Sequence, residues 1–255
     1  MRNKGLSPFT VRRIMSEDIE ISVIIPSYNE ESRITKSLKD VQKFFSQKKF
    51  SYEIIVVDDG SRDKTSEVAK SLGISQLHVI THEKNQGKGK AVNTGVKNAR
   101  GKYMLFTDAD NSTPFYEFER LWPYGKEYPV VIGSRYISGS NIKIRQPLTR
   151  IVASRIGNLL TQVLLLPRIS DTQCGFKLFQ GSAAKKIFVK QTIWRWGFDI
   201  EILRIAKENK YKIAQVPVDW FNDEDTRVQS GGMFVKTLNE LLRIKWNSLR
   251  GYYKS

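Results

Sequence analysis

The sequence predicts an α/β fold: a mostly parallel, twisted sheet flanked by helices, with an amphipathic helix at the C-terminus. Three observations carry this. Short aliphatic runs alternate with helical patterns of about 10 to 15 residues through the first half of the chain, the rhythm of βαβ units. Most of these runs stop at a polar cluster of Pro, Asp, Asn or Gly. The 255 residues, 40% of them hydrophobic, are enough to build a substantial core and too apolar for a disordered chain.

The elements follow in order. Ile21–Pro26 is a β-branched run ending in Pro, as a buried parallel strand would. A helix follows, with Glu30 and Glu31 in its first turn and Ile34, Leu38, Val41 and Phe45 on one face. Tyr52–Val57 is the second strand, broken at Asp58-Asp59-Gly60-Ser61. A helix over Asp63–Leu72 and a strand over Leu77–Thr81 come next. Lys88–Ala99 reads as helix, Tyr103–Thr107 as a strand ending in Asp108-Ala109-Asp110, and Val130–Gly133 as a fifth strand. Beyond Tyr136 the rhythm changes. Ser138–Gln146 is a polar loop, Leu148–Leu166 and Phe198–Glu208 are helices, Lys212–Val218 is a late strand, and Thr237–Arg250 is a closing helix. No repeat or linker composition divides the chain. The expected organisation is an N-terminal extension (1–18), one domain (19–231) and a C-terminal amphipathic helix (232–255).

Composition narrows the function. With 42 Lys+Arg against 26 Asp+Glu the net charge is +16, which points to a polyanionic partner. Nucleic acid, an anionic membrane surface and phosphorylated substrates all satisfy it. Cys174 is the single cysteine, so no intramolecular disulfide or cysteine metal cluster can form, and a reducing compartment is expected. A spanning helix needs about 20 mostly apolar residues, and the best stretch, Ile156–Pro167, falls short. The segment 1–16 lacks the apolar region of a signal peptide. His78, His82 and Cys174 read as structural residues, while Trp194 and Trp196 fit either sheet packing or a membrane interface.

Ligands of open α/β sheets bind beyond the carboxyl ends of the strands. Four polar clusters fall at or just past such ends: Pro26-Ser27-Tyr28-Asn29-Glu30, Asp58-Asp59, Asn85 to Gly89, and Asp108-Ala109-Asp110. Two carboxylates two residues apart in a turn can share one hard cation, Mg²⁺ or Mn²⁺. Such a cation would bridge the phosphates of a nucleotide diphosphate. Neither the Walker pattern nor a G-x-G-x-x-G fingerprint is present.

These four clusters resemble those of family 2 glycosyltransferases of the GT-A fold. The second half adds Ile132-Gly133-Ser134-Arg135, Arg150 to Gln162, Asp171-Thr172-Gln173-Cys174-Gly175-Phe176-Lys177 and Trp196-Gly197-Phe198-Asp199-Ile200-Glu201. Together they are similar to the polyprenyl-phosphate hexose synthases, and the last two stretches to their dolichyl-phosphate β-glucosyltransferase branch. The resemblance implies a nucleotide-sugar site at Pro26, Tyr28, Glu30, Asp58, Gly87, Lys88, Asp108, Ala109 and Asp110, with the metal on Asp108 and Asp110. It implies an acceptor-phosphate site at Arg135, Arg150, Ser154 and Arg227. Ser112 stands where the mannose synthases place a metal-supporting glutamine, and the stretch around Arg227 fits its pattern loosely.

The implied reaction is an inverting transfer of glucose from UDP-glucose to a polyprenyl or dolichyl phosphate. The implied place is the cytoplasmic face of a membrane, reached peripherally. A phosphomonoester is already mostly dianionic at pH 7, so the nucleophile needs charge clamping by arginines rather than a base. An acceptor hydroxyl would need one, and Asp199 is the candidate, with a structural role equally open; Asp171 carries the same ambiguity. Asp110, Arg135 and Asp199 are therefore the expected catalytic residues. A GDP-mannose-dependent synthase and a family 2 transferase acting on a glycan hydroxyl are the alternatives within the class. A basic nucleic-acid-binding module is the alternative outside it, and it lacks any recognisable signature. On a helical wheel Phe234, Leu238, Leu241, Leu249 and Tyr252 share one face, with Lys236, Arg243 and Arg250 opposite. That is the pattern of an interfacial helix on anionic lipid.

Overall fold

The computed structural model describes the backbone of residues 18–142, 148–221 and 233–254, and their side chains except those of 148–154 and 233–237. The elements run β1 (Ile21–Ser27), α1 (Ile34–Ser46), β2 (Tyr52–Asp58), α2 (Thr65–Ser71), β3 (Leu77–Thr81), α3 (Lys88–Asn98) and β4 (Tyr103–Thr107). They continue with α4 (Phe118–Gly125), β5 (Val130–Ser134), β6 (Asn141–Ile142), α5 (Leu148–Leu164), β7 (Phe176–Gln180), α6 (Gly181–Val189) and α7 (Phe198–Glu208). β8 (Ile213–Pro217), β9 (Asp219–Trp220) and α8 (Met233–Leu249) complete the order. All seven residues of β1 are buried, because helices cover both faces of the sheet. Alternate side chains divide between two cores: Ile24 faces α3, while Val23 and Ile25 face α1.

The seven strands lie in the order β3-β2-β1-β4-β7-β5-β8. β3, β2, β1 and β4 are parallel, and so are β5 and β8. β7 is antiparallel to both of its neighbours, β4 and β5. The expected strands and helices are all present, with ends that differ by a few residues. β7, α4 and α6 were not expected. Phe176 and Lys177 fall in a motif, and a short strand whose first four residues are all buried has no alternation to betray it. A second, two-stranded sheet pairs β6, inside the stretch expected to be loop, with β9.

α8 differs most from expectation. Its Leu241 and Ile244 enter the core, as does Tyr253 just beyond it. Leu242, Trp246, Leu249 and Tyr252 are exposed. The apolar arc is therefore split by packing, and the expected grouping of Leu241 with Leu249 does not hold. Arg243 and Arg250 are exposed too, with the Arg250 guanidinium 5.2 Å from the Trp246 ring. The basic stripe borders the exposed apolar residues instead of opposing them. Phe234 and Lys236 fall outside the described side chains. Among the described residues, no helix is long and apolar enough to cross a membrane.

Candidate active site

A cleft of about 480 Å³ opens along the carboxyl edge of the parallel strands. Pro26, Tyr28 and Glu30 reach it from β1, Gly87 and Lys88 from the start of α3, Asp108, Ala109 and Asp110 from β4, and Arg135 from β5. Nine of the expected site residues thus converge. Asp58 does not line it. Its carboxylate is buried and accepts from Ser61 N (2.9 Å) and from the Ser61 and Ser66 hydroxyls (both 2.5 Å). Asp58, expected in the nucleotide-sugar site, is thus engaged by its own turn and by α2, while its neighbour Asp59 is among the residues that line the cleft. Arg150 has no described side chain, nor has Ser154, and Arg227 lies outside the described residues.

Asp59 builds the wall behind the donor loop. Its Oδ1 accepts from Gln86 N (3.0 Å) and its Oδ2 from Gly87 N (2.7 Å). His82 Nδ1 lies 2.7 Å from Asp59 Oδ1, and its Nε2 lies 3.0 Å from Thr94 Oγ1 of α3. Gly87 has φ +105°, and a Cβ there would stand 2.3 Å from the Trp194 carbonyl oxygen. Glycine is required on both counts.

At the end of β4, Asp108 Oδ1 lies 2.7 Å from Lys88 Nζ, and Asp110 Oδ1 accepts from Ser112 N at 2.9 Å. Burial, reinforced by the Asp108 charge, raises the Asp110 carboxyl above the usual carboxylate range. Burial works against the Lys88 ammonium, yet Asp108, Asp199 and Asp110 together hold it above the ordinary lysine value. A Cβ on Gly175 would fall 2.0 Å from Asp108 Oδ2, so the glycine keeps open the space into which that carboxylate projects. Two mutually repelling carboxylates in a cradle, with only hard oxygen donors, fit a divalent cation. No group of three His, Cys, Asp or Glu that could hold a metal is found among the described residues, so other ligands would come from substrate or water.

Two expected catalytic residues have different surroundings from those expected. Asp199 is buried, and Lys177 Nζ donates to its Oδ1 (2.5 Å) and to the Cys174 carbonyl (2.5 Å). Asp199, the expected general base, is thus paired with a fully buried ammonium and is not among the residues that line the cleft. Arg135 lines the cleft, but its Nε and Nη2 donate to Asp171 at 2.7 and 2.9 Å. The Arg135 charge and hydrogen bonds lower the Asp171 carboxyl against the upward push of burial. This fork is closed on one side and can offer a phosphate only what Asp171 leaves. Cys174 is buried, and burial pushes its thiol up to about 11, which suits packing and not nucleophilic attack.

Several lining residues were not among the expected site residues: Asp59, Gln173, Gly175, Arg195, Trp196 and Trp220. Gln173 and Gly175 lie inside a motif already noted. Arg195 sits beside Trp196, and only the fold brings that loop against Gly87.

The model of the glycosyl transferase family 2 matches residues 22–188. The chain belongs to the family 2 glycosyltransferases. This glycosyltransferase is 35% identical to a dolichyl-phosphate beta-glucosyltransferase of Dictyostelium discoideum over 93% of its own length and 77% of the relative's. The enzymes of that name from Homo sapiens and Saccharomyces cerevisiae are each 34% identical, covering 92% and 93% of this chain and 78% of each relative. Among solved structures, the UDP complex of glucosyl-3-phosphoglycerate synthase from Mycobacterium tuberculosis superposes with a TM-score of 0.66. Its identity is 21%, over 89% of this chain and 80% of that one. A complex of the same synthase with Mn²⁺, UDP and phosphoglyceric acid gives 0.67 at 20% identity, over 89% and 78%. These structures share the GT-A fold of this glycosyltransferase.

Proposed function

We propose that this glycosyltransferase transfers glucose from UDP-glucose to a dolichyl or related polyprenyl phosphate, with inversion at the anomeric carbon, at a membrane surface. The observation that carries the reading is the similarity over nine-tenths of the chain to dolichyl-phosphate beta-glucosyltransferases of three distant organisms. The state of Asp199 supports the acceptor class. With that carboxylate ion-paired and buried, the nucleophile that fits brings its own negative charge, as a phosphate does.

In this reading Pro26, Tyr28 and Glu30 hold the nucleoside, Asp59 fixes the loop at Gln86 and Gly87, and Gly87 and Lys88 face the diphosphate. A divalent cation such as Mg²⁺ or Mn²⁺, held by Asp108 and Asp110, would neutralise the charge that develops on the leaving diphosphate. Lys88 Nζ, already beside Asp108, adds a second positive charge there. Arg135 orients the acceptor phosphate from the opposite wall, with Asp171 fixing its fork. The exposed Leu159 and Val163 of α5 and Leu242, Trp246 and Leu249 of α8, with Arg155, Arg243 and Arg250 around them, support peripheral contact with anionic lipid.

The test is glucosyl transfer from UDP-glucose to a short-chain polyprenyl phosphate, set beside thermal shifts with UDP and GDP, with and without Mn²⁺. Transfer is expected with UDP-glucose and not GDP-mannose, and UDP should stabilise the protein more than GDP. Asp110→Asn should weaken UDP binding only when metal is present. Equal loss with and without metal would assign Asp110 a direct or structural role instead.

A further inference from the structure

Four cationic side chains line the cleft among the described residues: Arg33, Lys88, Arg135 and Arg195. Three have a carboxylate within 2.7 Å: Glu30 for Arg33, Asp108 for Lys88 and Asp171 for Arg135. Arg195 is exposed and has no carboxylate in ion-pairing contact among the described residues. An exposed guanidinium without a bound carboxylate, beside a site for phosphates, is a ready bidentate donor.

The loop that carries it is fixed at both ends. Before it, Glu201 Oε2 accepts from Thr192 N (2.9 Å) and Ile193 N (2.7 Å). In the middle, the Trp194 carbonyl accepts from Lys90 N of α3 at 3.3 Å, and the Lys90 ammonium lies 4.7 Å from the Trp194 ring centre. After it, Gly197 N donates to Glu240 Oε2 of α8 at 2.8 Å. Burial raises the Glu240 carboxyl, while the Gly197 hydrogen bond and the Arg195 charge pull it back. Glu240 thus ties α8 to the loop that carries Arg195.

We propose that Arg195 binds a phosphate group of the reacting pair, and that Glu240 is the positioning residue that sets its loop. The proposal rests on the reading of the cleft as a site for a nucleoside diphosphate and a phosphate acceptor. The phosphate could belong to either, and both are measured. The probes are UDP with Mn²⁺, followed by calorimetry, and farnesyl phosphate, followed by competition. Both arms are equilibrium binding, so they can be read even if wild type transfers no glucose, an outcome that would fail the proposed function alone.

Arg195→Gln is expected to weaken one probe roughly tenfold, as loss of a charge-assisted fork does, with the melting temperature unchanged. Loss in the UDP arm places Arg195 on the donor diphosphate, and loss in the farnesyl phosphate arm places it on the acceptor. Glu240→Ala should weaken the same probe, by about threefold, and Glu240→Gln, which still accepts from Gly197 N, should restore it. An Arg195→Gln change below twofold in both arms overturns the proposal. A Glu240→Ala loss that Glu240→Gln does not rescue overturns the positioning role.

Discussion

At the residue scale, the geometry of the acidic pair depends on a glycine in another strand's approach. Gly175 leaves room for Asp108, and the missing Cβ would sit 2.0 Å from its Oδ2. Gly175→Ala must therefore push the carboxylate aside. The expected outcome is a loss of about tenfold in the Mn²⁺-dependent part of UDP affinity with metal-free binding intact, measured by calorimetry with and without Mn²⁺. Asp171 is a residue-scale case of a different kind. Its carboxyl is held below the ordinary value of 3.8 by Arg135. The unfolded chain takes up that proton first, so the pair contributes stability above pH 3.8 and loses it as the pH falls towards the folded value. Asp171→Asn leaves the guanidinium without its counter-charge in a buried site. It should cost roughly 3–5 kcal/mol at pH 7, and less at acid pH. Urea unfolding at both pH values checks this.

At the element scale, the tight seating of α3 on β1 positions the donor loop. A Cβ on Gly95 would meet Ile24 Cγ2 at 2.3 Å, so the helix lies against the strand with no side chain between. The start of α3 carries Gly87 and Lys88 into the cleft at that depth. Gly95→Ala should lift the helix and destabilise the protein by about 1–3 kcal/mol, seen as a lower denaturant midpoint. UDP affinity should fall with it, because Lys88 moves with the helix. β7 acts at the same scale. By running antiparallel between β4 and β5 it lays Gly175 beside Asp108, with Asp108 N donating to the Gly175 carbonyl at 3.2 Å.

At the scale of the whole molecule, the two helices that carry exposed apolar residues, α5 and α8, are neighbours. Lys245 of α8 donates to the Leu164 carbonyl at the end of α5 (3.1 Å), bringing the helices together. Their outer residues, among them Val163 at 74% and Leu249 at 70% exposure, are large hydrophobics that a chain does not ordinarily leave in water in such a group. Each neighbouring basic residue is worth roughly 1 kcal/mol at an anionic surface. Co-sedimentation with phosphatidylglycerol vesicles is expected, weakening at high salt. Trp246→Ser with Leu249→Ser should lower the bound fraction about tenfold without changing UDP affinity. Binding that ignores both salt and these changes would remove the membrane role of this surface.

What the sequence determined by itself is local and periodic. Aliphatic runs broken by Pro, Asp and Gly marked the strands and their carboxyl ends, and with them nine of the cleft residues. They could be read because strand period, helix period and turn chemistry are properties of neighbours in the chain. Only the tertiary structure decided that β7 enters the sheet, since its first four residues are all buried and show no alternation. It decided that Asp59 and not Asp58 faces the cleft, because successive residues at a strand end point to opposite sides. It decided that Asp199 meets Lys177, 22 residues away, and that Arg195 has no such ion pair among the described residues. It also decided which part of the apolar arc of α8 turns inward. An ion pair, a face and a packing partner are each set by distances between elements, which the order of residues within an element does not contain.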